Sequence, residues 1–311
     1  MVVAPRDRID SHSLDPQDRA SISGPFRAGQ HGGKSPGPDM LSPKTPMDSE
    51  LLIQVRSVIL QQAFRAHVGH IGSALAIADI MATLYHDILR IASPDDSQRD
   101  RFILSKGHGA LALYAALFAT GRISKTDLGT YCGDQSLLGV HPQHGLPYVE
   151  FTTGSLGQGL SWGVGLALAS RMLGSPGRTF VLLSDGECNE GAVWEAIMYA
   201  SQHRLGSLYA IIDIDGQQAL GLTKDVIDLE PMQERWRAFG WDVHEVNGHE
   251  PQAIIRAIAL AARQPTKPHV LLARTVFGNG VAFMEGKIAW HYLPLSRAEY
   301  ALAMKMVGAG M

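Results

Sequence analysis

Apolar positions in this chain fall in two rhythms. Leu52, Val55, Ile59 and Gln62 lie at helical spacing, and Ile77, Ile80, Met81, Leu84 and Ile88 do so again. Between them Gly69-His70-Ile71-Gly72-Ser73 reads as a break. Short apolar runs follow at 101–105, 179–183, 208–212, 242–246 and 269–273, each long enough for a buried strand. Helical stretches at 160–173, 192–203 and 251–263 separate the later ones. Alternation of this kind predicts an α/β fold with a mostly parallel sheet and helices on both faces. No repeat of fixed period is present.

Residues 1–47 break the pattern. They are rich in Pro, Gly, Ser, Arg and Asp and have almost no apolar periodicity. Such a segment cannot bury enough surface to offset its ordering entropy, so a disordered extension is expected there, with one domain over 48–311. The whole chain is 45% hydrophobic and 18% charged, with a net charge of −3. That balance gives no field that would attract nucleic acid or an anionic membrane. Two cysteines imply no disulfide framework, no apolar run reaches a membrane span, and no signal-peptide pattern opens the chain. A cytoplasmic protein is the expectation.

Three features carry chemistry. The first is a pair of acidic turns: strand 180–184 runs into Asp185-Gly186-Glu187, and strand 210–214 into Asp215-Gly216-Gln217, thirty residues later. One βαβ unit fills that interval, so both acids are expected at the carboxyl edge of adjacent parallel strands. Paired carboxylates there suit Mg²⁺, which takes one or two carboxylates plus phosphate oxygens and water. Acidic residues opening solvated loops are the plainer explanation for either alone. The second is Thr153-Gly154-Ser155-Leu156-Gly157-Gln158-Gly159 before a helix, a setting suited to a phosphate or to close helix packing. The third is His70, His108 and His141, each beside glycine or proline, with His291 after Trp290. Their wide spacing and the lack of a Cys cluster speak against zinc; anion contact or proton transfer suits them better.

Taken together and in order, Gly69-His-Ile-Gly-Ser-Ala-Leu75, Arg101-Phe-Ile-Leu-Ser-Lys-Gly-His-Gly-Ala110, Val140-His-Pro142, Thr153–Gly159 and Ser184-Asp-Gly-Glu-Cys-Asn-Glu-Gly191 resemble the N-terminal half of transketolase. The resemblance runs over roughly residues 50–305. It implies a thiamine-diphosphate-binding fold. Asp185 and Asp215, with the backbone carbonyl of Gln217, would hold Mg²⁺. The loop bearing Gly154, Ser155, Leu156 and Gly157, together with Gly186 and Glu187, would meet the cofactor. His70, His108, His141 and, less closely, His291 match histidines of the substrate channel and reaction centre. Glu190 matches a glutamate of the proton network linking paired active sites. The implied reaction moves a two-carbon ketol unit from a ketose, or ketose phosphate, to an aldehyde.

Two departures stand out. Ser184 replaces the first glycine of the family's metal motif, and Asp215 replaces its asparagine, adding negative charge beside a diphosphate. The resemblance also ends where the cofactor domain ends. It is therefore to a split, two-component enzyme whose pyrimidine domain is a separate subunit, as an α2β2 assembly. Two other readings compete: a ketol transferase of secondary metabolism with an unusual or carrier-bound acceptor, and a non-catalytic regulatory partner of a transketolase.

Overall fold

The computed structural model describes residues 49–309. Helix α1 (Ser49–Ala66) leads into two short helices, α2 (Ile71–Ala76) and α3 (Ala78–Thr83), and a π-helical turn at Leu84–Ile88. Strand β1 (Arg101–Leu104), helices α4 (Ala110–Ala119), α5 (Lys125–Leu128) and α6 (Gly159–Met172), strand β2 (Thr179–Ser184), helix α7 (Gly191–Gln202) and strand β3 (Leu208–Ile214) come next. A small hairpin, β4 (Gln217–Gln218) and β5 (Gly221–Leu222), and helices α8 (Thr223–Val226) and α9 (Met232–Ala238) follow. Strand β6 (Asp242–Asn247), helix α10 (Pro251–Ala261), strand β7 (His269–Arg274) and helix α11 (Arg297–Ala309) complete the described residues. The extension expected over residues 1–47 lies outside them.

The main sheet is parallel throughout, in the order β1-β2-β3-β7-β6. β3 is buried along its whole length, and β2 and β7 at all but their last residue. This is why they read as continuous apolar runs rather than alternating ones. Successive side chains still point to opposite faces. Phe180 and Leu182 join the core under α1, α4 and α10, whereas Val181 and Leu183 join the core under α6, α7 and α9. Each fully buried Leu, Ile, Val or Phe contributes about 1.5–3 kcal/mol relative to exposure, so the two cores hold the layers together.

The break foreseen over 69–73 is shorter than expected, since α2 begins at Ile71 and takes in Gly72 and Ser73. Gly72 is there because of packing: a Cβ at that position would lie 2.1 Å from the Phe277 ring. The single helix implied by Ile77–Ile88 is instead α3 plus the π-helical turn. Its apolar spacing survives because Ile77, Ile80, Met81, Leu84 and Ile88 are all buried.

In register, Ser184 at the end of β2 sits opposite Asp213 near the end of β3. The chain leaves both strands at the same edge, so Asp185 and Asp215 arrive side by side. Ser105 and Lys106, after β1, join them through backbone bonds to Leu182 O at 2.8 and 3.3 Å. Among the described residues no helix is long and apolar enough to cross a membrane.

Candidate active site at the carboxyl edge of the sheet

The floor of the site is a group of carboxylates. Asp185 is 5% exposed, and its oxygens accept hydrogen bonds from Gly186 N at 2.7 Å, Gly216 N at 3.0 Å and the Thr223 hydroxyl at 3.0 Å. Asp215 accepts from Gln217 N at 2.9 Å. Between them lies Asp213, fully buried, which accepts the Thr275 hydroxyl on one oxygen and the Lys106 ammonium, at 2.5 Å, on the other. Burial, and next the charge of Asp213, push Asp185 up to about 6 and Asp215 well above the usual carboxylate range. Burial works against the Lys106 ammonium, but Asp213, Asp215 and Asp185 outweigh it and hold its pKa above the ordinary lysine value. The floor is thus short of positive charge.

The glycine loop is fastened from behind by Glu187. Its Oε1 accepts from Gly157 N at 2.8 Å and from the Ser105 hydroxyl, and its Oε2 from Ser184 N at 3.4 Å. Burial pushes this carboxyl up to about 7. Ser105 Oγ in turn accepts from Gly159 N at 3.1 Å, at the first residue of α6. That approach needs glycine, because a Cβ on Gly159 would lie 2.2 Å from Ser105 Oγ.

Above the floor stand four imidazoles. The ring of His70 lies 5.5 Å from His108, 6.4 Å from His141 and 4.9 Å from His291, and His108 lies 5.4 Å from His291. His70 takes a left-handed backbone (φ 59°) and donates its N–H to His291 O at 3.1 Å, which joins the start of α2 to the turn at Ile288–His291. Burial first, then the neighbouring histidines, bring His70 down to about 4. Burial and the nearby Lys106 charge lower His108 and His291, and burial alone lowers His141. All four are neutral imidazoles near pH 7.

The four imidazoles and Asp215 of the floor border a cavity of about 530 Å³. Of the residues singled out from the sequence, His70, His108, His141, Gly154, Leu156, Gly186, Glu187, Glu190, Asp215, Gln217 and His291 line it. Three others stand elsewhere. Ser155 is exposed on the loop, Gly157 is buried with its N–H taken by Glu187, and Asp185 lies in the wall beside a smaller cleft of about 170 Å³. Sequence reasoning passed over Lys106, Asp213 and Thr223. A charged residue inside the apolar run 208–214 was the available signal for Asp213; the Lys106 partnership spans 107 residues and has no local signature.

Several buried polar atoms around the cavity lack partners: Nδ1 of His70 and of His291, Oγ1 of Thr153 and Oε1 of Gln217. Orphaned donors and acceptors of this kind fit a polar ligand. Among the described residues no three His, Cys, Asp or Glu side chains converge to hold a metal unaided. Mg²⁺ needs no such set, because it usually keeps phosphate oxygens and water beside one or two carboxylates.

Carboxylates at the edge of a parallel sheet, faced by neutral imidazoles and bordered by unpartnered buried polar atoms, mark an α/β domain with a polar ligand site. Comparison with known proteins makes this specific. The family model described as "Transketolase, thiamine diphosphate binding domain" matches residues 47–310. One of the subunits of the apulose-4-phosphate transketolase of Phocaeicola vulgatus is 41% identical over 254 residues, covering 81% of this chain and 90% of that protein. The 6-deoxy-6-sulfo-D-fructose transketolase subunit SqwG of Clostridium sp. is 38% identical, covering 80% and 92%. The structure of transketolase from Leishmania mexicana superposes with a TM-score of 0.79 at 29% identity, over 84% of this chain but 41% of that one. The chain therefore spans about two fifths of that solved transketolase. It belongs to the transketolase family, as the thiamine-diphosphate-binding domain.

Proposed function

We propose that this chain is the cofactor-holding subunit of a two-component, thiamine-diphosphate-dependent transketolase. The observation that carries this reading is the convergence of His70, His108, His141 and His291 over the carboxylate edge in one cavity. Asp185, Asp215 and the main-chain carbonyl of Gln217 would hold Mg²⁺, with Gly186, Glu187 and the Gly154–Gly157 loop shaping the diphosphate's bed. Bound there, thiamine diphosphate supplies the carbon nucleophile that a two-carbon ketol transfer requires. This chain's own residues orient the sugar and move protons. Neutral His70 and His108 donate to oxygen as negative charge develops on it, and His141 and His291 extend the same channel. Glu190, exposed at the cavity rim, would join a proton path toward a second active site.

The substrates proposed are a ketose or ketose phosphate as donor and an aldehyde as acceptor. Among the described residues no arginine lines the cavity, and its lysine, Lys106, is already paired. Recognition of a substrate's anionic group is therefore assigned to a separate pyrimidine-domain subunit, in an α2β2 assembly. Two observations support a partner. The named relatives of similar length are themselves called subunits. The rim also carries exposed apolar residues, Leu220 at 82% and Ile227 at 51%, which suit a surface covered by another chain. The two free cysteines, one exposed and one buried, suit a reducing cytoplasm.

The test is isothermal titration of thiamine diphosphate with Mg²⁺ into the chain, alone and with its partner, followed by ketol-transfer assays. Binding that appears or tightens sharply with the partner is the expected result. Full turnover by the chain alone overturns the two-component reading, and absence of binding in both settings overturns the cofactor reading.

A further inference from the structure

Lys106 is an unusual side chain for its surroundings. It is 1% exposed, and its ammonium lies 2.5 Å from an oxygen of Asp213, itself 0% exposed. Both sit at the sheet edge that carries Asp185 and Asp215, and Lys106 and Asp215 line the same cavity. A lysine is almost never buried this completely unless paired, and a buried pair by itself is weak support for stability. Asp213 is also held by the Thr275 hydroxyl, and buried ion pairs can often be exchanged for neutral residues of similar volume without loss of stability.

What the lysine changes is the charge of the floor. Three carboxylates, Asp185, Asp213 and Asp215, lie along one sheet edge, and the resemblance puts an asparagine in place of Asp215. The extra negative charge of Asp215 would repel the diphosphate. One buried positive charge, carried on a side chain that faces the same cavity, offsets it. With Lys106 in place, a floor whose three carboxylates were ionised by a bound cation would carry two net negative charges, the amount that one divalent cation cancels.

We propose that Lys106 is the counter-charge that makes a carboxylate at Asp215 compatible with a metal–diphosphate ligand, acting on the cofactor through the field of the floor. This rests on the cofactor reading above. In it Lys106 is a positioning residue rather than a ligand of the phosphate, and its effect is tied to the identity of residue 215.

The experiment is a double-mutant cycle on the chain together with its partner subunit, read by calorimetric titration of thiamine diphosphate at saturating Mg²⁺. K106M is expected to weaken thiamine diphosphate at least tenfold. D215N alone is expected to bind as well as the unchanged chain or better, and K106M/D215N to recover most of the loss. A K106M/D215N protein no tighter than K106M, at matched unfolding midpoints, overturns the proposal and leaves Lys106 as a partner of Asp213 alone. Should removal of the lysine prevent folding, K106M/D213N takes out both members of the buried pair. It keeps the net charge and is expected to bind within about threefold of the unchanged chain; a larger loss would make Lys106 a direct phosphate ligand and overturn the counter-charge. Absence of binding by the unchanged chain sinks the cofactor reading itself and this inference with it, whereas binding with an additive cycle sinks this inference only.

Discussion

His70 shows how much one residue can be asked to do. Its left-handed backbone sets the entry to α2, its N–H ties the turn at His291, and its ring lies within 6.4 Å of each of the other three imidazoles. His70→Asn keeps a residue that tolerates φ > 0 while removing the imidazole. We expect kcat to fall by about 10²–10⁴-fold with thiamine diphosphate affinity little changed, the usual size of a lost acid–base group. Steady-state kinetics beside calorimetry checks both halves. The same ring predicts a pH dependence of stability. Its pKa is about 4 in the folded chain and 6.5 when unfolded, so between these values the unfolded state binds more protons. The contribution of this ring to stability is therefore full above about 6.5 and declines as pH falls toward 4. Thermal unfolding of the two proteins across that window should show His70→Asn losing less stability than the unchanged chain as pH falls; an identical dependence would remove His70 from the account.

Thr223 makes a smaller, sharper case. Its hydroxyl donates to the Asp185 oxygen that Gly216 N also holds. Thr223→Val keeps shape and deletes that donor, so Mg²⁺-dependent cofactor binding should weaken by about 1 kcal/mol, roughly fivefold, while Thr223→Ser should restore it. Equal binding by the two variants would show that Asp185 is held well enough without the hydroxyl.

At the scale of elements, the site depends on how closely the pieces approach. α2 can lie against the segment carrying Phe277 only because residue 72 has no side chain. Gly72→Ala forces the Phe277 ring or the helix to move, a change of the overpacking kind that costs about 1–3 kcal/mol. Thermal unfolding should register it as a lower midpoint. Because α2 begins directly after His70, cofactor-dependent turnover should fall as well. The glycine loop is held in the same manner: Ser105 from the end of β1 and Glu187 from the turn after β2 lock it from behind. Glu187, read from the sequence as a cofactor contact, spends its carboxylate on this internal fastening. Asp185 likewise has three protein donors, which no reading of strand and turn spacing could have disclosed.

At the scale of the whole chain, a parallel sheet with continuous apolar strands brings four separate segments to one edge. Histidines at 70, 108, 141 and 291 meet although they are spread over most of the described residues. The exposed apolar rim leads to a further expectation: mixing with the partner should protect Leu220, Ile227 and their neighbours from hydrogen exchange, and lack of protection there would move the interface elsewhere.

By itself the sequence determined the α/β class, the acidic turns thirty residues apart, the glycine loop and the histidines worth watching. These rest on short-range periodicity and on turn chemistry, which a chain declares locally. Only the tertiary structure decided that Lys106 meets Asp213, that Glu187 fastens the loop, that Thr223 reaches Asp185 and that the four imidazoles are neutral. Each of these depends on strand order and burial. Sheet order places residues 107 apart within 2.5 Å, and removal from water sets their charge; neither quantity is a property of neighbouring residues along the chain.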